Sequence, residues 1–132
     1  MINNCTLMGR ICNDIELLQT SNGTALTKFS IAVERNYTNS NGERPTDFIR
    51  CCAWAGTAEF IAKYFRKGSM IAITGEIQTS TYDEDNGNDC IVTRYVTEIN
   101  VNNVSFTGEK PNDTQTKPKY NKTTKNNKYT KR

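Results

Sequence analysis

The chain has 132 residues, 36% of them hydrophobic and 9% aromatic, which suits one domain with a proper core. No run is long and apolar enough to span a membrane, no signal-peptide pattern opens the chain, and histidine is absent, removing the commonest catalytic base and metal ligand. The net charge of +3 hides a division: residues 1–108 carry nine Lys/Arg against twelve Asp/Glu, and residues 109–132 carry eight against two.

Residues 4–12 alternate, with Cys5, Leu7, Gly9 and Ile11 on one face, and predict a strand with Gly9 as a bulge or bend. Ser21-Asn22-Gly23 is a turn signal. A second strand follows, with Phe29, Ile31 and Val33 inward and Lys28, Ser30 and Glu34 outward; its apolar pattern stops at Arg35 and Tyr37. After the loop Asn39-Ser40-Asn41-Gly42 comes a third strand, 47–54. Ile49, Cys51 and Ala53 share a face fit for a core, and Phe48, Arg50, Cys52 and Trp54 share the other. Two aromatics with an arginine between them suit either a strand covered on both sides or an open platform for flat, anionic ligands.

Residues 57–67 change period: Phe60, Ile61, Tyr64 and Phe65 form a helical stripe, with Thr57 as N-cap, Gly68 as the stop and Glu59–Lys63 as an i,i+4 pair. Alternation resumes from Met70 to Tyr82, with Ile71, Ile73 and Ile77 on one side and Gln78, Ser80 and Tyr82 on the other. Asp83 to Gly87 reads as a hairpin tip, and a last strand runs from about Asp89 to Phe106 with a bulge near Asn102-Asn103. Glu109 to Arg132 is polar and basic without periodicity and is expected to be a disordered basic C-terminal tail. It is either a solubilising appendage or a cationic arm, with Tyr120 and Tyr129 as extra stacking points.

Three strands, a short helix and two strands is the order of an all-β, five-stranded OB-fold barrel with one helix between strands 3 and 4. Such a barrel covers one side of each strand, which favours open rings at Phe48 and Trp54. The expected division is therefore residues 1–108 as the folded domain and 109–132 as the tail.

Nothing points to an enzyme: no P-loop, G-x-S-x-G or paired-carboxylate pattern occurs. The acidic stretch Asp83–Asp89 fails as a calcium loop, because Gly87 is fifth from Asp83 and Arg94 is twelfth. The five cysteines (Cys5, Cys12, Cys51, Cys52, Cys90) contain no C-x-x-C pair, so no metal site or cofactor is expected; small buried thiols in a reducing cytoplasm is the simplest reading.

Several stretches carry a resemblance. Thr6-Leu7-Met8-Gly9-Arg10, Asn22-Gly23, Phe29-Ser30-Ile31-Ala32-Val33, Phe48-Ile49-Arg50, Trp54-Ala55-Gly56, Tyr64-Phe65-Arg66-Lys67-Gly68-Ser69 and Thr74-Gly75-Glu76-Ile77-Gln78-Thr79, in this order, resemble the bacterial and phage single-stranded DNA-binding protein (SSB) family. The resemblance implies sequence-independent binding and protection of single-stranded DNA during replication, recombination and repair. By position it implies stacking of bases on Tyr37, Phe48, Trp54 and Tyr82, and a cation at Arg50. Arg10, Lys28, Arg35, Arg66 and Lys67 are candidates for the phosphate track, Arg66 and Lys67 being equally readable as a charged helix C-terminus.

The resemblance also implies a homotetramer built on the first strand. Leu18 stands where the family often has arginine, and Gly56 and Thr81 where it often has lysine. The sequence ends Lys-Tyr-Thr-Lys-Arg where cellular members carry an acidic tip that recruits replication enzymes, so such recruitment is not expected. The competing reading is an OB-fold module that binds protein, of the replication-restart type, or RNA.

Overall fold

Alternating apolar residues dictate a sheet that must curl to hide one of its faces, and the chain does so. In the structure, a computed structural model, residues 1–88 and 90–108 are described. The elements are β1 (Cys5–Ile11), β2 (Leu18–Gln19), β3 (Ala25–Glu34), β4 (Thr46–Trp54), α1 (Ala55–Tyr64), β5 (Met70–Asp85) and β6 (Ile91–Ser105). The sheet order is β1-β5-β6-β4-β3, and a further β1–β3 pairing closes the ring at Arg10–Ala32 and Ile11–Ile31. All neighbours are antiparallel except β4 and β6, which run parallel and pair only at Cys51–Ile99 and Cys52–Asn100. This is the expected OB arrangement of five long strands, with the two-residue β2 added beside β3.

The interior is filled by alternate residues: Ile11 of β1, Phe29 and Ile31 of β3, Cys51 and Ala53 of β4, Ile71 and Ile73 of β5, Ile99 and Val101 of β6. Helix α1 closes one end through Ala58 and Ile61, with Phe65 beyond it. The bulge expected near Asn102-Asn103 is present: Val101 pairs with Gly75 and Asn103 with Thr74, leaving Asn102 as the extra residue.

Gly75 is forced by this crossing, since a Cβ there would run into the carbonyl of Asn100. Gly9 is not a bulge or bend. It pairs regularly with Ile71, and its missing side chain lets β3 approach; a Cβ would lie 2.5 Å from the Ala32 carbonyl oxygen.

Four other expectations are corrected. The helix begins at Ala55, not at a Thr57 cap: Trp54 is the N-cap residue in extended conformation, and Ala55 turns the corner at φ +53°. Gly68 does not stop the helix, which ends at Tyr64 with the Phe65 N–H donating to Ile61. Gly68 (φ +91°) instead makes the turn that docks on β1, its N–H donating to the Ile11 carbonyl. Cys90 is exposed where a buried thiol is expected, and Ile77 shares a parity with Ile71 and Ile73 yet is exposed; Cys52 is buried as expected, although it shares a parity with Phe48 and Arg50. The expected tail 109–132 and Asp89 lie outside the described residues.

Candidate nucleic-acid interface

Cross-strand partners share a face, so register places side chains without further assumption. On the outer face of β3 and β4, Trp54 lies opposite Leu26, Cys52 opposite Lys28, Arg50 opposite Ser30, and Phe48 opposite Ala32. Ala32 in turn pairs with Arg10 of β1. Phe48 and Trp54, six residues apart on β4, therefore end one track of roughly 20 Å. Arg50 and Lys28 lie along it, and Arg10 continues the row of Phe48.

Both rings are open: Phe48 is 70% exposed and Trp54 43%. The corner at Ala55 is what leaves the indole there, since the chain turns into α1 immediately after it. Trp54 also helps to cover Cys52. Burial pushes the Cys52 thiol pKa up, as does Glu98, while Lys28 and a hydrogen bond with Trp54 pull it down.

β4 and β6 pair at only two positions and then part. Between Phe48–Arg50 and Arg94–Thr97 opens a cleft of about 680 Å³. Its lining includes Phe48, Arg50 and Tyr82, which sequence reasoning singled out, and Arg94 and Tyr95, which it missed. Arg94 is the cross-strand partner of Tyr82, and Tyr95 that of Thr81. Tyr95 is the more exposed of the two tyrosines, at 81% against 53%. Alternation alone could have flagged Tyr95 as a large ring on a strand that continues past the barrel.

The remaining candidates lie elsewhere on the surface. Tyr37 is half exposed, on the loop after β3. Its phenol oxygen accepts from Arg35 Nη1 at 2.8 Å, and Arg35 makes a two-pronged pair with Asp47 at 2.9 Å on each side. That pair raises the Arg35 pKa and holds the Asp47 carboxyl below the usual carboxylate range. Lys28 Nζ lies 3.7 Å from Glu98. Arg10 donates to the Gly68 carbonyl at 3.1 Å, which brings it to the turn that carries Arg66 and Lys67. The candidates thus fall into an aromatic track on β4, a cleft beside it, a tethered loop at Tyr37 and a cationic corner at Arg10–Lys67. Among the described residues no group of three His, Cys, Asp or Glu could hold a metal, and no helix is long and apolar enough to cross a membrane.

Comparison with known proteins gives one consistent result. Residues 2–107 match the Single-strand binding protein family. A single-stranded DNA-binding protein of Enterococcus faecalis is 45% identical over 98 residues, covering 74% of this chain and 52% of that protein. One from Lactiplantibacillus plantarum is 46% identical over 106 residues, covering 80% and 51%. Single-stranded DNA-binding protein 2 of Listeria monocytogenes is 36% identical across 98% of this chain and 83% of its own length. The chain thus spans about half the length of the first two relatives.

Proposed function

The chain belongs to the single-strand binding protein family, and from this we infer that it coats single-stranded DNA, whatever its sequence, during replication, recombination and repair. It does so by binding and not by catalysis. The observation that carries this reading is the open track on β4, with Phe48 and Trp54 exposed at its ends and Arg50 between them. Bases stack on Phe48, Trp54, Tyr82 and, from its loop, Tyr37. Any base offers a π-face, so stacking at roughly 1–3 kcal/mol per base is indifferent to sequence.

Arg10, Lys28, Arg35, Arg50, Arg66 and Lys67 follow the sugar–phosphate backbone, Arg35 from within its pair with Asp47. Residues 1–108 form the binding domain. Residues 109–132, with eight Lys/Arg against two Asp/Glu, add a long-range attraction that the mildly acidic body lacks. The active form is a homotetramer. Among the described residues, Cys5–Gly9 of β1 pair on one side only, with β5, and offer an edge to a second copy. Five free thiols suit a reducing cytoplasm.

Gel-shift titration with single-stranded, duplex and RNA oligonucleotides at two salt concentrations tests the reading. Single-stranded DNA should bind far more tightly than duplex, with affinity falling by about 0.7 log units per log unit of salt for each phosphate neutralised. Comparable affinity for duplex at moderate salt would reject it.

A further inference from the structure

The cleft between β4 and β6 holds a feature at odds with a polyanion site. Glu84, a carboxylate, lines it together with Arg50 and Arg94. Glu84 Oε1 accepts from Arg94 Nε at 2.9 Å, and both side chains are about half exposed. The two sit diagonally on one face of the β5–β6 hairpin, because Arg94 pairs with Tyr82 and Glu84 with Val92. On the opposite face of the hairpin strand Tyr95, paired with Thr81, is 81% exposed and reaches the same cleft that Phe48 lines. An aromatic ring, a guanidinium and a strand edge without a sheet partner here together describe a place for one nucleotide, except that the guanidinium is already neutralised.

Building on the single-strand reading above, we propose that this cleft is an additional nucleotide subsite in which Tyr95 stacks the base, while Arg94 exchanges Glu84 for the phosphate. Glu84 stands in for the phosphate in the empty protein. It keeps Arg94 oriented and spares the cleft an unpaired cation, and it is displaced when a real phosphate offers a charge-assisted pair in the same geometry. The exchange makes Glu84 a brake on affinity: the phosphate must compete with a carboxylate already in place.

The test uses the full chain and a thymidine oligonucleotide, with affinity measured over a range of salt. Tyr95→Ala should weaken binding roughly 5- to 150-fold, the value of one stacked base, and Tyr95→Phe should restore it. Glu84→Gln should tighten binding, since the phosphate no longer has a carboxylate to displace. Arg94→Ala in the Glu84→Gln background should remove that gain and lower the salt slope by about 0.7. Unchanged binding by Tyr95→Ala, or a gain that survives Arg94→Ala, overturns the subsite. If Phe48→Ala is weakened at the same time, the single-strand reading stands without it. If the unmodified chain and Phe48→Ala both fail to prefer single strands over duplex, that reading falls too.

Discussion

Replacing Phe48 and Trp54 together by alanine separates binding from folding. A fully buried phenylalanine or tryptophan costs about 3–5 kcal/mol to truncate. Phe48 is 70% exposed, so its loss should cost the fold less than about 1 kcal/mol, and Trp54, 43% exposed, on the order of 1–2 kcal/mol. Against this, each ring should contribute roughly 1–3 kcal/mol to a stacked base, so the pair should cost about 30-fold to 20,000-fold in affinity. Phe29→Ala, at a ring 3% exposed in the core, is the matched control and should unfold the protein readily without being part of the surface. The assay is a urea melt beside a titration of labelled single strand. If the double variant binds like the parent while its melt shifts by several kcal/mol, the rings serve the fold and the interface has been misplaced.

Other outcomes follow from the interior. Thr27 is fully buried, and its hydroxyl finds no partner among the described residues; Thr27→Val should therefore stabilise the fold by about 1 kcal/mol, and a lower urea midpoint would show that the hydroxyl is bonded after all. Gly75→Ala should cost about 2 kcal/mol or more, because the new Cβ meets the rigid Asn100 carbonyl and not a side chain that can swing away; a neutral effect would contradict the tight crossing of β5 and β6.

Burial, reinforced by the neighbouring Cys5, Cys52 and Glu98, pushes the Cys51 thiol pKa up to about 12. A raised native value means that this contribution to stability is intact below the ordinary thiol pKa of about 8.5 and is lost as pH climbs from there through about 12. The alkaline decline of the urea midpoint should flatten in Cys51→Ala. At neutral pH a maleimide should label the exposed Cys90 and spare Cys51; equal rates would refute the burial.

What the sequence disclosed, and what it withheld, divides along a physical line. Alternation identified the inward residues of β1, β3 and β4 because each pairs along a regular ladder with one face in the core. Parity says which way a side chain points but not what lies over it. Cys52 has the outward parity, opposite Lys28, and is still buried, whereas Ile77 has the inward parity of Ile71 and Ile73 and is exposed. The helix start was illegible because an alanine, not a glycine, adopts the left-handed corner. Gly9 reads locally as a breaker, and only the approach of β3 explains it.

For the site, the outward aromatics of β4 were legible and are open. The cleft was not, because it exists where two strands distant in sequence cease to pair, and no local pattern records that parting. Nor was the tie between Arg35, just past the end of β3, and Asp47 of β4, twelve residues apart.

Trp54 is the chain's single tryptophan, so its fluorescence reports on the track and nothing else. Titration of the full chain with a thymidine oligonucleotide should quench this emission saturably, as a base settles on the indole, while duplex DNA at the same salt leaves it unchanged. Binding of the single strand without any change in Trp54 emission would contradict stacking at the heart of the interface.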